Sequence, residues 1–366
     1  MASHRAVVTV AAGKPLETLL VPTPKPVGNQ VRIRTQWTAS TPLDLHQGDG
    51  GLLVQHPQVL GDGFGGQVVE VGPDVTKLKV GDIVFGFGWR SQIEKAHQEF
   101  LVINENLAGK LPAGHSLQEA VTLPNNFVTA WHTLTRHFGF ELPWPKPEGY
   151  VPKDKDKWIL IWGASSSVGQ YTLQILKWYG YFHIIAIASK AHHSKLIGYG
   201  ANKCFDYREA HVVEDIVEYV SSQTSNEPRI AFVLDCIGSQ RGSMQPLARI
   251  AEPGAKVAVL LPVIVKDAAP GVRPAYEMDV GKDVEWKTGV DAQGVRTHFY
   301  LDNAFLAEKL QAEIMPTALE QGIVEANDQV VVEGATMLER AEKAMSKLRN
   351  KEVSGARLVW RVSDDE

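Results

Sequence analysis

The segment from Trp158 to Ser189 reads as strand, tight turn, helix and strand, and it narrows the choice of fold more than any other part of the chain. Ile159–Trp162 and Ile184–Ala188 are short, nearly all-apolar runs of the kind that form parallel strands covered on both faces. Between them Val168, Leu173, Ile175, Leu176 and Tyr179 supply the apolar positions of an amphipathic helix, and Gly180 marks its end. The turn Gly163–Gly169 is built of small residues, so backbone N–H groups and the helix N-terminus can come close to a pyrophosphate.

Set against Gly-x-Gly-x-x-Gly, the residues are Ala164-Ser-Ser166-Ser-Val-Gly169, and only the last glycine is literal. Ser165, Ser166 and Ser167, followed by Val168, offer hydroxyl donors to phosphate instead. On these residues alone an ordinary structural turn is the alternative. About 20 residues beyond the turn, an NAD enzyme carries an Asp or Glu for the ribose 2′-hydroxyl. Here stand Ser189 and Lys190, then His192, His193 and Lys195. A hydroxyl and cations accept a 2′-phosphate that an acid would repel, which points to NADPH; a solvated basic loop is the other reading.

At 366 residues the chain has room for two domains. Its net charge of −5 leaves no basic footprint for nucleic acid or acidic lipid. Met1-Ala-Ser-His-Arg leads straight into Ala6–Val10 without an apolar signal core, and no run is long enough to span a membrane, so a cytoplasmic protein is expected. Two cysteines, Cys204 and Cys236, cannot build a four-cysteine zinc lobe or a disulfide framework.

Residues 1 to about 126 hold short β-type runs punctuated by Gly and Pro: Ala6–Val10, Gln30–Gln36, Gln67–Val71, Asp82–Phe87 and Glu99–Ile103. They predict a strongly bent, partly closed β-barrel. Helices are expected at Ser116–Leu123, with Ser116 as cap and Glu119 three residues on, and at Phe127–Phe138. Proline interrupts every register from Gly139 to Lys157, which makes that stretch a surface connection. From Trp158 onward strands and helices alternate, predicting a doubly wound parallel sheet with later strands at Lys203–Asp206, Ile230–Asp235 and Lys256–Leu261. Asp291–Gly294 reads as a turn between edge-like runs Val284–Thr288 and Val295–Tyr300. A long helix, Ala304–Gln321, precedes a strand at Val330–Glu333, a helix at Leu338–Arg349 and a strand at Arg357–Val362.

Tyr207, after the third strand of that sheet, is placed to stack on adenine or reach the 2′-phosphate, or to be a core aromatic. Cys236, and the pair Leu260 and Leu261, end strands on the side where ligands bind. Asn126 and its neighbour Asn125 are candidates for reaching a substrate oxygen, or for helix caps.

Several separated signatures occur in a specific order. They are Ser40-Thr-Pro-Leu-Asp44, Gly61-Asp-Gly-Phe-Gly-Gly66 with Val69-Glu-Val-Gly72, Val80-Gly-Asp82, Thr122-Leu-Pro124 with Thr129-Ala-Trp131, Gly163–Gly169, Gly200-Ala201 with Asp206-Tyr-Arg208, Asp235-x-x-Gly238 and Ser354-Gly355. With them the chain, from about Arg5 to Val362, resembles the medium-chain dehydrogenase/reductase superfamily in its zinc-free quinone and enoyl reductase branch. It looks most like the fungal enzymes that include stand-alone enoyl reductases partnering polyketide synthases. The resemblance implies an α/β architecture: a GroES-like, partly closed β-barrel catalytic domain from residues 1–126 and 301–366, and a Rossmann NADPH-binding domain from residues 127–300. It implies an active site in the cleft between the two.

In the superfamily's zinc alcohol dehydrogenases a cysteine stands where this chain has Thr41, and Gly-His-Glu where it has Gly61-Asp62-Gly63. The resemblance therefore implies no catalytic zinc. Reduction of an activated double bond does not need that Lewis acid. The expected chemistry is hydride transfer from NADPH to the β-carbon of an unsaturated carbonyl, or to a quinone, with donors aimed at the developing enolate oxygen.

The resemblance also assigns residues. His46 matches a position that carries a proton-relay histidine or a cofactor-touching lysine; cofactor contact is the preferred reading, and a loop histidine doing neither the alternative. Thr129 matches the residue that holds the nicotinamide amide, the alternative being a helix threonine bonded to the preceding turn. Val353 and Ser354 match a C-terminal contact to NADPH, or form a simple turn. Substrate selection is expected from Trp89, the segment Gly86–Ala96 and the run Ala268–Trp286. Val295–Tyr300 is expected to pair with a second subunit if the protein is a homodimer rather than a monomer. Small-molecule reduction, action in trans on a carrier-bound polyketide, and cofactor binding with little turnover are the three functions consistent with these residues.

Overall fold

Alternating burial shapes the first strands of the computed structural model, which describes residues 2–363. β1 (Ser3–Thr9) pairs antiparallel with β2 (Glu17–Pro22). β3 (Gln30–Ser40) then buries Val31, Ile33 and Thr35 at every second position. Helix α1 (Pro42–Gly50) follows, then the short β4 (Gln58–Val59), which pairs with β1. β5 (Gly63–Val71), β6 (Ile83–Phe87), β7 (Phe100–Asn104) and β8 (Ala108–Lys110) continue the sheet built on β3. Its bend has a visible cause. The β3–β5 register shifts at Arg32/Ile33 and again at Thr35/Trp37, and any side chain at Gly66 would collide with the Arg34 carbonyl.

Ser116 and Glu119 form the expected capping box at the start of α2 (Leu117–Ala120). α3 (Pro124–His132) runs into a π-helical turn, Thr133–His137, and no regular element occupies residues 139–157. The parallel sheet comes next. β9 (Trp158–Trp162), α4 (Ser167–Tyr179), β10 (Ile184–Ile187), α5 (His193–Gly198), β11 (Lys203–Phe205), α6 (Val212–Gln223), β12 (Ile230–Asp235), α7 (Gln245–Ile250) and β13 (Lys256–Leu260) alternate as the apolar pattern requires. Gly180 closes α4 in the left-handed conformation at φ 93°. After the hairpin β14 (Val263–Lys266) and β15 (Ala275–Glu277), β16 (Asp291–Val295) completes a six-stranded parallel order, β11-β10-β9-β12-β13-β16.

β16 corrects the sequence reading. Asp291–Gly294 is a strand rather than a turn, because its backbone bonds to β13 and an edge strand needs few apolar side chains. Thr297–Asp302 is a 3₁₀ turn, so Val295–Tyr300 is not an extended edge available to a second copy. The helix expected at Ala304–Gln321 is broken into α8 (Ala304–Lys309), a π-helical turn at Leu310–Ile314, and α9 (Met315–Glu320). β17 (Asp328–Val331), α10 (Met337–Arg349) and β18 (Ala356–Arg361) end the chain; β18 returns antiparallel to β3.

Two compact units result. The first takes Met1–Val128, Asp267–Pro274 and Tyr300–Glu366, and the second Thr129–Lys266 and Ala275–Phe299. Met1 and residues 364–366 lie outside the described residues. In the first unit α10 packs Met337 and Met345 with Val7, Leu45, Leu60 and Trp360, and Arg349 grips Asp49 of α1 at 2.7 Å. In the second, Leu160, Ile185, Val233 and Val257 of the parallel strands meet Val213, Ile216 and Leu247 of α6 and α7. No helix among the described residues is long and apolar enough to cross a membrane.

Candidate functional site

Strands β9, β10 and β12 lie side by side and parallel, so their C-terminal ends present three turns along one edge of the second unit. In the first turn Gly163 sits at φ 75° against Ile237. A Cβ at Gly169 would lie 2.7 Å from the Ala164 backbone, so helix and turn close on each other only through glycine. Ser166 caps α4, its Oγ accepting the Gly169 N–H at 3.2 Å. Its hydroxyl hydrogen can still donate, and the Cys236 sulfur is a partner within its reach. Ser165 and Ser167 are half-buried, Val168 is buried, and no acidic residue stands in the first helical turn. The positive end of α4 is therefore uncompensated by a carboxylate.

Cys236, half-buried, closes the third turn beside Ser166, and burial pushes its thiol well above the usual range. Leu260 and Leu261 are half-buried at the end of β13.

The second turn carries Ser189, half-buried, and Lys190, exposed. Sequence reasoning missed their neighbour. Asp206 accepts the Lys190 N–H at 2.9 Å, and Arg208 binds the same carboxylate through Nε at 2.9 Å and Nη2 at 2.7 Å. Hydrogen bonding from Arg208 holds the Asp206 carboxyl well below the usual range. The Asp-x-Arg spacing was the available signal. Tyr207 is 49% exposed with Arg208 5.7 Å from its ring centre, which excludes the core-aromatic reading. His193 Nε2 donates to the Ala188 carbonyl at 2.9 Å. Thr129, buried in α3, meets Thr297 hydroxyl to hydroxyl at 2.9 Å.

The first unit holds the remaining candidates on separate elements. His46 lies in α1 rather than in a loop; it is buried, and desolvation pushes it down to about 4, against the pull of Asp267 and Asp49. Burial thus favours the uncharged imidazole, which keeps one N–H donor and one nitrogen acceptor. Asn125 and Asn126 follow Pro124 inside the first turn of α3 and are not its caps. Asn126 is 9% exposed, and its Nδ2 has no partner among the described residues. Val353 packs at the edge of the Trp360 core, and Ser354 is exposed just before β18.

A buried charge cluster in this unit was also missed. Asp62 and Lys95, each 3% exposed, form an ion pair. Asp44 gives Oδ2 to the Thr41 N–H at 2.8 Å and Oδ1 to the Gly61 N–H at 3.1 Å. Burial and the nearby Asp62 charge push Asp44 up to about 6. His97 lies beside them, buried, with its ring against Gly61 and Trp360. Glu94 accepts the N–H groups of Trp89 at 3.3 Å and Arg90 at 2.8 Å, which fixes the segment that carries Trp89. The run Ala268–Trp286 is divided between the two units. Asp62 faces an ammonium, and among the described residues no group of three or more His, Cys, Asp or Glu side chains is arranged to hold a metal.

The sequence matches the alcohol dehydrogenase GroES-like domain over residues 28–133. A dehydrogenase of Monascus ruber is 33% identical over 237 residues, covering 62% of this chain; the match spans less than two thirds, 63%, of that relative's own length. A trans-enoyl reductase of Aspergillus terreus is 33% identical over 232 residues, covering 60% of this chain and 73% of the relative. A quinone oxidoreductase of Pseudomonas syringae pv. Tomato shares the fold at TM-score 0.72 and 21% identity, over 98% of this chain and 99% of that one. The GroES-like match, the parallel sheet that follows it and the fungal relatives together place this chain in the medium-chain dehydrogenase/reductase superfamily.

Proposed function

We propose that the protein is an NADPH-dependent oxidoreductase that reduces the activated double bond of an enone or enal, or a quinone, without catalytic zinc. The observation that carries this reading is the ligand-facing edge of the second unit. There an acid-free helix N-terminus stands in line with Ser189, Lys190 and an Arg208-neutralised Asp206.

Ser165, Ser166, Ser167 and the Val168 N–H would hold the pyrophosphate. Ser189, Lys190 and Arg208 would hold the 2′-phosphate, with Tyr207 against the adenine and His193 bracing the turn. Cys236, Leu260 and Leu261 would border the nicotinamide half, and Thr129 its amide; we assign His46, Val353 and Ser354 to cofactor contact as well. Nicotinamide chemistry supplies the hydride, and the chain supplies orientation and donors. Asn126, with a free amide donor, suits the carbonyl oxygen on which charge develops. An aqueous cofactor and substrate fit a cytoplasmic setting.

The test is oxidation of NADPH, with NADH alongside, by metal-stripped protein against enones, enals and quinones, products being identified by mass. Conversion of an enone to the saturated ketone with NADPH preferred supports the reading; activity that needs added zinc overturns it. The trans-enoyl reductase relatives favour a second reading, action on a carrier-bound polyketide. Tight NADPH binding with no turnover of free substrates and turnover of carrier-bound ones would select it. Binding with no turnover of either would leave a cofactor-binding role.

A further inference from the structure

Asp235 ends β12 with a fully buried carboxyl that binds the loop after it. Its Oδ1 accepts the Ile237 N–H at 2.9 Å and the Gly238 N–H at 3.0 Å, and its Oδ2 accepts the Ser243 hydroxyl at 2.6 Å. Ser243, also fully buried in the π-helical turn Gln240–Met244, accepts the Ser239 N–H at 3.0 Å. One carboxylate thus holds both arms of the loop from β12 to α7. Burial pushes it up to about 6, against the pull of these three donors. Desolvating a carboxylate is costly, and three converging donors offset that cost only in one geometry of the loop.

That geometry leaves an apolar side chain in water. Gly238 sits at φ 62°, where a Cβ would lie 2.6 Å from the Leu260 carbonyl oxygen, and its own carbonyl accepts the Ile264 N–H at 2.7 Å. With the loop held on that side by β13 and β14, Ile237 reaches the turn after β9: a Cβ on Gly163 would lie 2.5 Å from Ile237 Cδ1. Ile237 is nonetheless 41% exposed. A fixed, half-open apolar side chain beside the turn that leads into α4 fits a ligand with phosphate on one side and an apolar face on the other.

Strand order assigns the part of the ligand. β10, β9 and β12 are neighbours in that order, so the turns after them form a row. On the functional reading above, on which this inference rests, the 2′-phosphate lies at the first turn of the row and the pyrophosphate at the second. The nicotinamide riboside half falls to the third. We propose that Asp235 is a positioning residue for that half: through the Ile237 and Gly238 N–H groups it fixes Ile237 as the apolar wall on which the nicotinamide riboside rests. Asp235 acts on the cofactor only through Ile237.

The test compares the affinity of NADPH, read by its fluorescence, with that of adenosine 2′,5′-bisphosphate, which lacks the nicotinamide half and is read by calorimetry. Asp235→Ala should weaken NADPH about tenfold and leave the bisphosphate within about twofold. Asp235→Asn keeps an oxygen for the two N–H groups and an amide hydrogen for the Ser243 oxygen, and should restore NADPH affinity to within about threefold of wild type. Ile237→Ala should weaken NADPH about fivefold, and adding it to Asp235→Ala should cost little more, because both remove the same wall. Where Asp235→Ala does not fold, Ser243→Ala is read instead; it leaves the carboxylate in place and should weaken NADPH about threefold with the bisphosphate unchanged. A folded variant that binds NADPH as wild type does, or loses both ligands equally, overturns the proposal, and so does full additivity of Asp235→Ala and Ile237→Ala. If the wild type prefers NADH, the pair becomes NADH and adenosine 5′-monophosphate, read in the same way. Wild-type protein that binds neither dinucleotide defeats the functional reading and the proposal together, whereas a dinucleotide bound without regard to Asp235 defeats the proposal alone.

Discussion

Asp44 and Gly61 are joined by a buried hydrogen bond, the carboxylate Oδ1 accepting the glycine N–H at 3.1 Å, so the start of α1 is tied to the turn that enters β5. This carboxyl is pushed up to about 6 by burial, with the Asp62 charge adding to the effect. An unfolded aspartate titrates near ~3.9. The folded state therefore binds the proton more tightly, and the stability this contributes is complete below about pH 4 and lost as pH rises through about 6. Asp44→Asn has no such proton. Measured by urea unfolding, wild-type stability relative to the variant should decline by about 3 kcal/mol from pH 4 to pH 7.5. A difference that stays flat over that range would contradict the assignment.

His97 gives the opposite slope. Its ring lies 4.6 Å from Trp360, centre to centre, and neither ring nitrogen has a partner among the described residues. Burial pushes it down to about 3, and the Lys95 charge adds to the effect. A depressed histidine contributes stability that is present above the unfolded value near ~6.5 and lost as pH falls toward the folded one. His97→Phe keeps the contact with Trp360 and removes a buried donor without an acceptor. It should be as stable as wild type at pH 7, or more so by about 1 kcal/mol, and should lose less stability on acidification to pH 4.5. Thermal unfolding at the two pH values checks both parts.

Gly61 and His97 are coupled sterically. Gly61 sits at φ 79°, and a Cβ there would run into the His97 ring. Gly61→Ala should cost about 3 kcal/mol or more, part from the left-handed backbone and part from the clash. Combined with His97→Ala, only the backbone part of roughly 1–2 kcal/mol should remain. A double-mutant cycle in urea reads the coupling, and strict additivity would show that the ring is not what excludes the methyl group.

These sites show which parts of the molecule the sequence reveals. The strand–turn–helix at Trp158–Tyr179 was legible because its apolar runs have the two periods of strand and helix and end at glycine. Ser116 and Glu119 announced α2 through a local bond. β16 was hidden because Asp291-Ala-Gln-Gly has turn composition, and only pairing with β13 makes it a strand. Lys95 stands in the polar run Arg90–Lys95 and reads as a surface lysine. Its burial follows from a carboxylate 33 residues earlier, a long-range fact that no local pattern encodes. His46 and Asn126 could be named from the sequence, while the charge state of the one and the unpartnered amide donor of the other depend on burial by distant segments.

Cofactor choice provides the last prediction, and Asp206 makes it sharper than a count of cations would. Lys190 offers a positive side chain where its own backbone N–H is held by Asp206, so its removal should weaken NADPH binding about 10- to 100-fold and leave NADH within about twofold. Arg208 does two things at once: it brings a charge, and it neutralises the Asp206 carboxylate through paired bonds of 2.9 and 2.7 Å. Arg208→Ala removes the cation and exposes the anion, which repels a 2′-phosphate and accepts a hydrogen bond from a 2′-hydroxyl. Its loss of NADPH affinity should therefore exceed that of Lys190→Ala, and its NADH affinity should be unchanged or improved. Both losses should shrink at higher ionic strength, because the groups are exposed and screened. Fluorescence titration of both cofactors at two salt concentrations checks this. Equal losses for NADPH and NADH would mean that the turn after β10 supports the fold of the second unit and does not read the 2′-phosphate.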